Sequence, residues 1–87
     1  MTAERNALMQ AVVTLLRAIA PEVEADALVP ARPLRQQVDL DSMDWLNFLV
    51  SLHERFGVNI PESDYAQLVS LDTVVSYLAS RIDKPRV

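Results

Sequence analysis

The chain has 87 residues, 51% of them hydrophobic, and its twelve acidic and eight basic residues give a net charge of −4. This length provides one domain with one hydrophobic core, and the apolar fraction argues against disorder of the whole chain. The acidic balance argues against nucleic-acid binding, and a sequence without cysteine has neither disulfides, nor thiolate metal sites, nor a cysteine nucleophile.

The first predicted helix runs from about residue 3 to residue 20. Its apolar side chains recur at helical spacing: Leu8, Val12, Leu15, Leu16 and Ile19. Pro21 lacks an N–H and disfavours helical backbone before it, so the helix should end there. From residue 21 to residue 41 the periodicity weakens, and we predict a long loop with one short turn. Its spaced apolar residues should hold it to the core: Val23, Leu28, Leu34 and Val38.

The second predicted helix begins at Ser42 and ends at Phe56, before Gly57, which is the only glycine. Asp41 is the predicted N-cap, and Asp44 stands at the third helical position. Polar side chains occupy a sector of roughly 100°, and apolar ones fill most of the remainder. The apolar set is Met43, Trp45, Leu46, Phe48, Leu49, Val50, Leu52 and Phe56. So wide an arc predicts packing on two or three sides, or a patch left for a partner or ligand.

After the second helix, residues 58–61 are predicted to form an extended connecting segment. A short helix follows at about 62–68, with Tyr65 and Leu68 facing the core, and a last helix at about 71–82 is capped by Ser70. The apolar stripe of the last helix is Leu71, Val74, Val75, Leu78 and Ile82. Residues 83–87 read as a flexible tail. The predicted fold is all-α, a small four-helix bundle with three main helices, one short helix and a long loop between helices 1 and 2. One domain spans residues 1–87, with its core at about 3–82.

Serine-based catalysis and metal binding both receive little support. Ser42 and His53, the only histidine, lie in one predicted helix about 16 Å apart, whereas a nucleophile and its base need about 3 Å. We therefore expect no catalytic residue, and we interpret His53 either as a half-buried histidine or as a local shift of the apolar arc. Asp39, Asp41 and Asp44 lack the glycine and glutamate of a calcium loop, so they are interpreted as favourable charge at a helix N-terminus, and no metal is expected.

The Ser42 hydroxyl would lie at a helix start, among free backbone N–H groups at the positive end of the helix dipole. Such a place suits a phosphate, either bound or covalently attached. Asp-Ser pairs are common at helix starts, however, and this dipeptide alone favours a simple cap.

A longer pattern resembles the acyl carrier protein family, whose domains bind phosphopantetheine. The family's Asp-Ser-Leu at the start of its second helix reads here as Asp41-Ser42-Met43. Matching positions surround it: Leu34, Val38, Leu40, Asp44, Leu46, Leu49, Leu52, Phe56, Ile60-Pro61-Glu62 and the segment 70–78. The resemblance covers nearly the whole chain and needs no gaps from residue 34 to residue 78.

The resemblance implies a non-catalytic carrier. A phosphopantetheinyl transferase with Mg²⁺ would attach 4′-phosphopantetheine from coenzyme A to Ser42, and the arm's thiol would hold acyl groups as thioesters. Asp41 and Met43 would flank the transferase-recognition site. The residues expected to face partners, through weak contacts and charge steering, are Asp44, Trp45 and Asn47.

Further partners are an acyl-loading ligase or acyltransferase and the downstream acyl-using enzymes. The N-terminus lacks a signal-peptide pattern, and no apolar run reaches the ~20 residues of a membrane span. We therefore expect a free-standing cytoplasmic monomer with no membrane segment and no nucleic-acid partner.

The departures from the family pattern predict a specialised pathway in fatty-acid, polyketide or secondary metabolism. Asn47 and His53 stand where glutamate is frequent, Trp45 replaces a small or polar residue, and Asp39 replaces glycine. An acyl cleft is expected beside the second helix, near Ile60 and Tyr65, with bulky neighbours that limit the cargo to short or unusual acyl groups. Two alternatives stay open, an aminoacyl or peptidyl carrier and an unmodified helical interaction module.

Overall fold

The computed structural model describes residues 2–82, with side chains from residue 5 onward. In this range the elements are α1 (Thr2–Ile19), a 3-10 helix η1 (Ala25–Ala27), α2 (Leu34–Gln37), α3 (Ser42–Phe56), a 3-10 helix η2 (Glu62–Gln67) and α4 (Leu71–Ile82). No strand forms among these residues, although Pro33 and Ser70 make one isolated antiparallel bridge. The all-α prediction is confirmed, and the boundaries of α3 are those predicted. The expected flexible tail, 83–87, lies outside the described residues.

The core lies between α1, α3 and α4, because α1 packs against both of the other long helices. Each helix contributes one fully buried apolar face. The largest of these side chains are Val12, Leu16, Phe48, Leu49, Leu52, Leu71, Val74, Val75 and Leu78. At about 1.5–3 kcal/mol for each large apolar side chain removed from water, this packing holds α3 in place.

The long connection between α1 and α3 contains two short helices, η1 and α2, where the sequence predicted a single turn. The Gln37 side chain organises it, since Oε1 accepts the Val29 N–H at 2.7 Å while Nε2 donates to the carbonyls of Val29 and Arg32, each at 2.9 Å. These contacts join residues five to eight positions apart, which periodicity does not reveal. Three of the four predicted anchors, Val23, Leu34 and Val38, are buried, and the fourth, Leu28, is half-buried.

Backbone hydrogen bonds attach this connection to the start of α4. Leu34 donates its N–H to the Val69 carbonyl at 2.8 Å, and Asp72 donates to the Pro30 carbonyl at 3.0 Å. The Ser70 hydroxyl accepts the Thr73 N–H at 3.2 Å, so the predicted cap of the last helix is confirmed. The position of α2, and through it the approach to α3, therefore depends on α4.

A polar cluster holds η2 against α4. The buried Tyr77 donates its hydroxyl to Asp64, and Arg81 lies 3.4 Å from the same carboxylate and 3.7 Å above the Tyr77 ring. Burial, and then the hydrogen bond to Asp64, raise the pKa of Tyr77 above its ordinary value. Ile82, predicted to complete the buried stripe, is instead 43% exposed, because the last turn of α4 extends past the core.

The C-terminal end of α3 closes at Gly57, which adopts the left-handed conformation with φ 67° and donates its N–H to the His53 carbonyl at 2.9 Å. His53 Nδ1–H donates to the Val58 carbonyl at 2.8 Å. Of the two interpretations of His53, the half-buried histidine is wrong, since the residue is exposed, and the local shift of the apolar arc agrees with the structure.

Candidate functional site

Asp41, not Ser42, caps α3. Asp41 has extended backbone angles, and its Oδ1 accepts the Asp44 N–H at 2.8 Å. Its carbonyl also accepts the first intrahelical bond, from the Trp45 N–H at 3.0 Å. The cap predicted from the sequence is confirmed. Capping therefore does not account for the serine that follows it.

Ser42 is the first residue of a fifteen-residue helix and is exposed. By helix geometry the N–H groups of Ser42 and Met43 have no intrahelical acceptor, and the positive end of the helix dipole lies at the same place. A phosphate ester on the Ser42 hydroxyl would have room in solvent and two donors nearby. The residues present thus fit a covalently attached phosphate group.

The other residues predicted for the site lie on different sides of α3. Asp41, Met43 and Asn47 are exposed, whereas Asp44 and Trp45 are half-buried. The Trp45 ring packs on Phe48, with 5.4 Å between the ring centroids. Trp45 thus belongs to the side of α3 that borders the core, while Met43 and Asn47 belong to the open side.

Three apolar residues on the open side of α3 form what we call the apolar stripe: Met43, Leu46 and Val50. They are 68%, 44% and 49% exposed, respectively. Of the eight apolar side chains of the predicted arc, Phe48, Leu49 and Leu52 are buried. The arc therefore combines a core face with an exposed face, and hydrophobicity alone does not separate them.

A cleft of about 200 Å³ opens beside α3, with Trp45 on one wall and Tyr65 and Ala66 of η2 on the other. Arg35 of α2 also lines it, and the buried Leu68 contributes to its apolar surface. Trp45 follows Ser42 by three residues, so the two side chains are neighbours on the helix surface. The cleft is accordingly within reach of a group attached to Ser42.

Ser42 and His53 lie in the same helix, eleven residues and about 16 Å apart, so they cannot act as a nucleophile and its base. Within the described residues, no three His, Asp or Glu side chains come together in a group that could hold a metal ion. In the same range no helix has the length and apolar character needed to cross a membrane.

The family described as "Phosphopantetheine attachment site" matches residues 7–78. An acyl carrier protein of Campylobacter jejuni is 32% identical over 56 residues, which cover 64% of this chain and 73% of that protein. The chain belongs to the acyl carrier protein family. A Lactobacillus acidophilus acyl carrier protein is 29% identical over 59 residues, covering 68% and 74% of the two chains.

The fold agrees with a solved structure, that of the acyl carrier protein from Enterococcus faecalis. The TM-score is 0.70 at 22% identity, over 88% of this chain and 96% of the other. Membership of the family means that the chain is a carrier with a covalently attached 4′-phosphopantetheine.

Proposed function

We propose that the Ser42 hydroxyl bears the 4′-phosphopantetheine as a phosphodiester, and that the chain carries acyl groups as thioesters on this arm. The observation that carries the proposal is an exposed serine at the first position of a long helix, released from capping by Asp41. The matched segment, residues 7–78, includes this position.

The other serines of the matched segment offer poorer attachment points. Ser51 is half-buried and donates its hydroxyl to the Asn47 carbonyl, and Ser70 is buried as the cap of α4. Ser76 is exposed but lies within α4, and Ser63 is exposed in a six-residue 3-10 helix. Among these serines, only Ser42 combines exposure with the N-terminus of a long helix, which favours a phosphate.

The residues of this chain would hold and present the group without carrying out chemistry of their own. The Ser42 and Met43 N–H groups would face the phosphate, and the exposed Asp41 and Met43 flank the position that a transferase has to reach. When attached, the arm supplies the thiol that this cysteine-free sequence lacks. The transferase, using Mg²⁺, would join the Ser42 oxygen to the phosphopantetheine phosphorus of coenzyme A, while the diphosphate P–O bond breaks and adenosine 3′,5′-bisphosphate and the serine proton are released.

Short or unusual acyl groups are the proposed cargo, within a specialised fatty-acid, polyketide or secondary-metabolite pathway. The cleft beside Trp45 has about 200 Å³, below the roughly 300–1,000 Å³ of typical small-molecule sites. Trp45, which lines the cleft, packs on the fully buried Phe48, and this contact supports its ring. A standard ketosynthase that bound this carrier as tightly as a housekeeping carrier would contradict the specialised pathway.

The attachment is tested by incubating the unmodified chain with coenzyme A, Mg²⁺ and a broad-specificity phosphopantetheinyl transferase, followed by intact-mass and peptide mass spectrometry. We expect one phosphopantetheine on the wild type and on Ser63→Ala, which removes an exposed serine elsewhere, and none on Ser42→Ala. Modification that survives Ser42→Ala would place the arm elsewhere, and an unmodified wild type would favour a helical interaction module without cargo.

A further inference from the structure

Arg35 of α2 brings a positive charge to the cleft beside Trp45. Among the residues that line this cleft, Arg35 alone is charged at neutral pH, and none is a carboxylate. Leu68 is buried, Trp45 and Tyr65 are half-buried, and Arg35 is exposed. The cleft therefore offers apolar surface to a carbon chain and a cation to a group at its edge.

The Arg35 guanidinium has no partner of its own within the part of the chain that the structure describes. It takes part in no ion pair and lies over no aromatic ring there, whereas Arg81 pairs with Asp64 and lies over the Tyr77 ring. A guanidinium presents five N–H donors in a planar fork whose geometry matches a carboxylate. These donors are therefore available to an anionic ligand in the cleft.

The surrounding sequence makes this cation distinctive. Residues 21–44 hold six carboxylates and two guanidinium groups, those of Arg32 and Arg35. An anionic group tethered at Ser42 would be repelled by the segment as a whole, and attracted only where one of the two cations reaches it. Since Arg35 lines the cleft and Arg32 does not, Arg35 is the cation that meets such a group there.

We infer that the cleft binds a short acyl group that ends in a carboxylate, with the Arg35 guanidinium donating to that carboxylate. The inference rests on the attachment of the arm at Ser42 proposed above. Trp45 is one helical turn from Ser42, so a tethered chain reaches the cleft. At about 30 Å³ for each water-sized group, the cleft of about 200 Å³ holds roughly seven such groups, which suits a dicarboxylic acyl chain of about four to six carbons.

The contribution of Arg35 should be selectivity rather than tight binding. An ion pair at an exposed edge shifts an equilibrium by only about two- to fivefold, because water and salt screen it. The apolar contacts of the chain with Trp45 and Leu68 do not depend on the charge. Loss of the guanidinium should therefore remove the preference for a terminal carboxylate and leave the apolar contacts in place.

The test loads the unmodified protein, by means of a transferase, from coenzyme A, pentanoyl-coenzyme A or glutaryl-coenzyme A that is isotope-labelled at its terminal carboxyl. Pentanoyl and glutaryl chains have equal numbers of carbons and differ in the terminal group. Nuclear magnetic resonance records the Arg35 Nε–H and Trp45 indole N–H signals and the pKa of the labelled carboxyl. Arg35→Gln removes the cation, and the matched control Arg32→Gln removes an exposed guanidinium of the same segment that lies outside the cleft.

In the wild type we expect the Arg35 Nε–H signal to move with the glutaryl cargo, and to stay in place with pentanoyl or with the arm alone. The Trp45 indole signal should move with glutaryl as well. Because a nearby cation favours the ionised carboxyl, its pKa should be lower in the wild type than in Arg35→Gln by about 0.5, which corresponds to a roughly threefold equilibrium. Arg32→Gln should change this pKa by less than about 0.2.

Equal carboxyl pKa values in the wild type and Arg35→Gln, or equal effects of the two arginine substitutions, would overturn the inference. An Arg35 signal that moves as far with the arm alone would also overturn it, since the guanidinium would then bind the phosphate of the arm. In each of these cases the attachment at Ser42 stands. A wild type that takes up no arm, or a Ser42→Ala variant that does, defeats the attachment and the inference together. The comparison of cargoes on the wild type does not depend on the folding of any variant.

Discussion

Replacing Asp41 and Ser42 separately by alanine tests the division of roles at the start of α3. The Asp41 carboxylate accepts the Asp44 N–H at 2.8 Å, so Asp41→Ala leaves one helix N–H without its acceptor. Ser42 occupies the first helical position and is exposed, so Ser42→Ala removes a hydroxyl that the cap does not use. The expectation is that the aspartate stabilises the fold, whereas the serine contributes only to the proposed attachment.

The expected losses of unfolding free energy differ clearly between the two alanine variants. Loss of a side-chain N-cap costs about 1 kcal/mol of unfolding free energy, and in a domain of this size that lowers Tm by about 4–8 °C. Asp41→Asn should lose less stability than Asp41→Ala, because asparagine keeps the capping hydrogen bond and gives up only the favourable interaction of the charge with the helix dipole, about 0.3–1 kcal/mol. Ser42→Ala should change the unfolding free energy by less than about 0.5 kcal/mol, as expected for an exposed position.

Ser70→Ala is a matched control, because Ser70 is a serine that does cap its helix, accepting the Thr73 N–H at 3.2 Å. We expect it to lose about 1 kcal/mol or more, in contrast to Ser42→Ala. Thermal unfolding of the unmodified proteins, followed by circular dichroism at one pH and salt concentration, measures all four variants. A larger loss in Ser42→Ala than in Asp41→Ala would show that the serine is the cap, and would refute the reasoning.

Three further predictions concern Gly57 at the end of α3, Tyr77 of α4 and the cleft beside Trp45. Gly57→Ala should lower the free energy of unfolding by about 1 kcal/mol through the left-handed backbone alone, since an added Cβ meets nothing within 4 Å. Gly57→Asn should lower it less, because asparagine tolerates this conformation better, and equal losses in denaturant unfolding would contradict this. Because the pKa of Tyr77 is raised above 10.0 in the folded state, its contribution to stability should be intact below about pH 10 and decline above it, and Tyr77→Phe should abolish this decline in alkaline unfolding. That variant should also lose about 1–2 kcal/mol at neutral pH with the hydrogen bond to Asp64. Trp45, the only tryptophan, lines the cleft, so its fluorescence should respond to a short acyl cargo, and an unchanged spectrum would argue against occupation of the cleft.

The local features of α3 were predictable because they depend on residues next to one another. Asp41 as cap, Ser42 as first residue and Gly57 as terminator each follow from the preferences of a few positions, and the structure confirms all three. The same holds for Ser70 at the start of α4.

Features that depend on distant contacts were not predictable in the same way. The Gln37 side chain holds the first connection together by hydrogen bonds to the backbone of Val29 and Arg32. These residues are not related by any helical or strand periodicity. His53 falls within an apolar arc by helical angle, yet it is exposed, and its ring donates to the Val58 carbonyl beyond the helix end. Which part of that arc faces the core depends on where α1 and α4 pack, and this is a property of the whole fold.

The apolar stripe of α3 and the negative charge of residues 21–44, which hold six carboxylates and two guanidinium groups, have opposite effects on self-association. Burial of Phe48, Leu49 and Leu52 already anchors α3 to the core, so the fold does not require Leu46 and Val50 to be apolar. An exposed apolar face promotes self-association, and a net charge away from zero opposes it. Residues 21–44 supply that charge next to the stripe rather than on it. The chain can thus keep an exposed apolar face in its free form, while the charge that discourages association lies at the same end of α3 as the proposed attachment point.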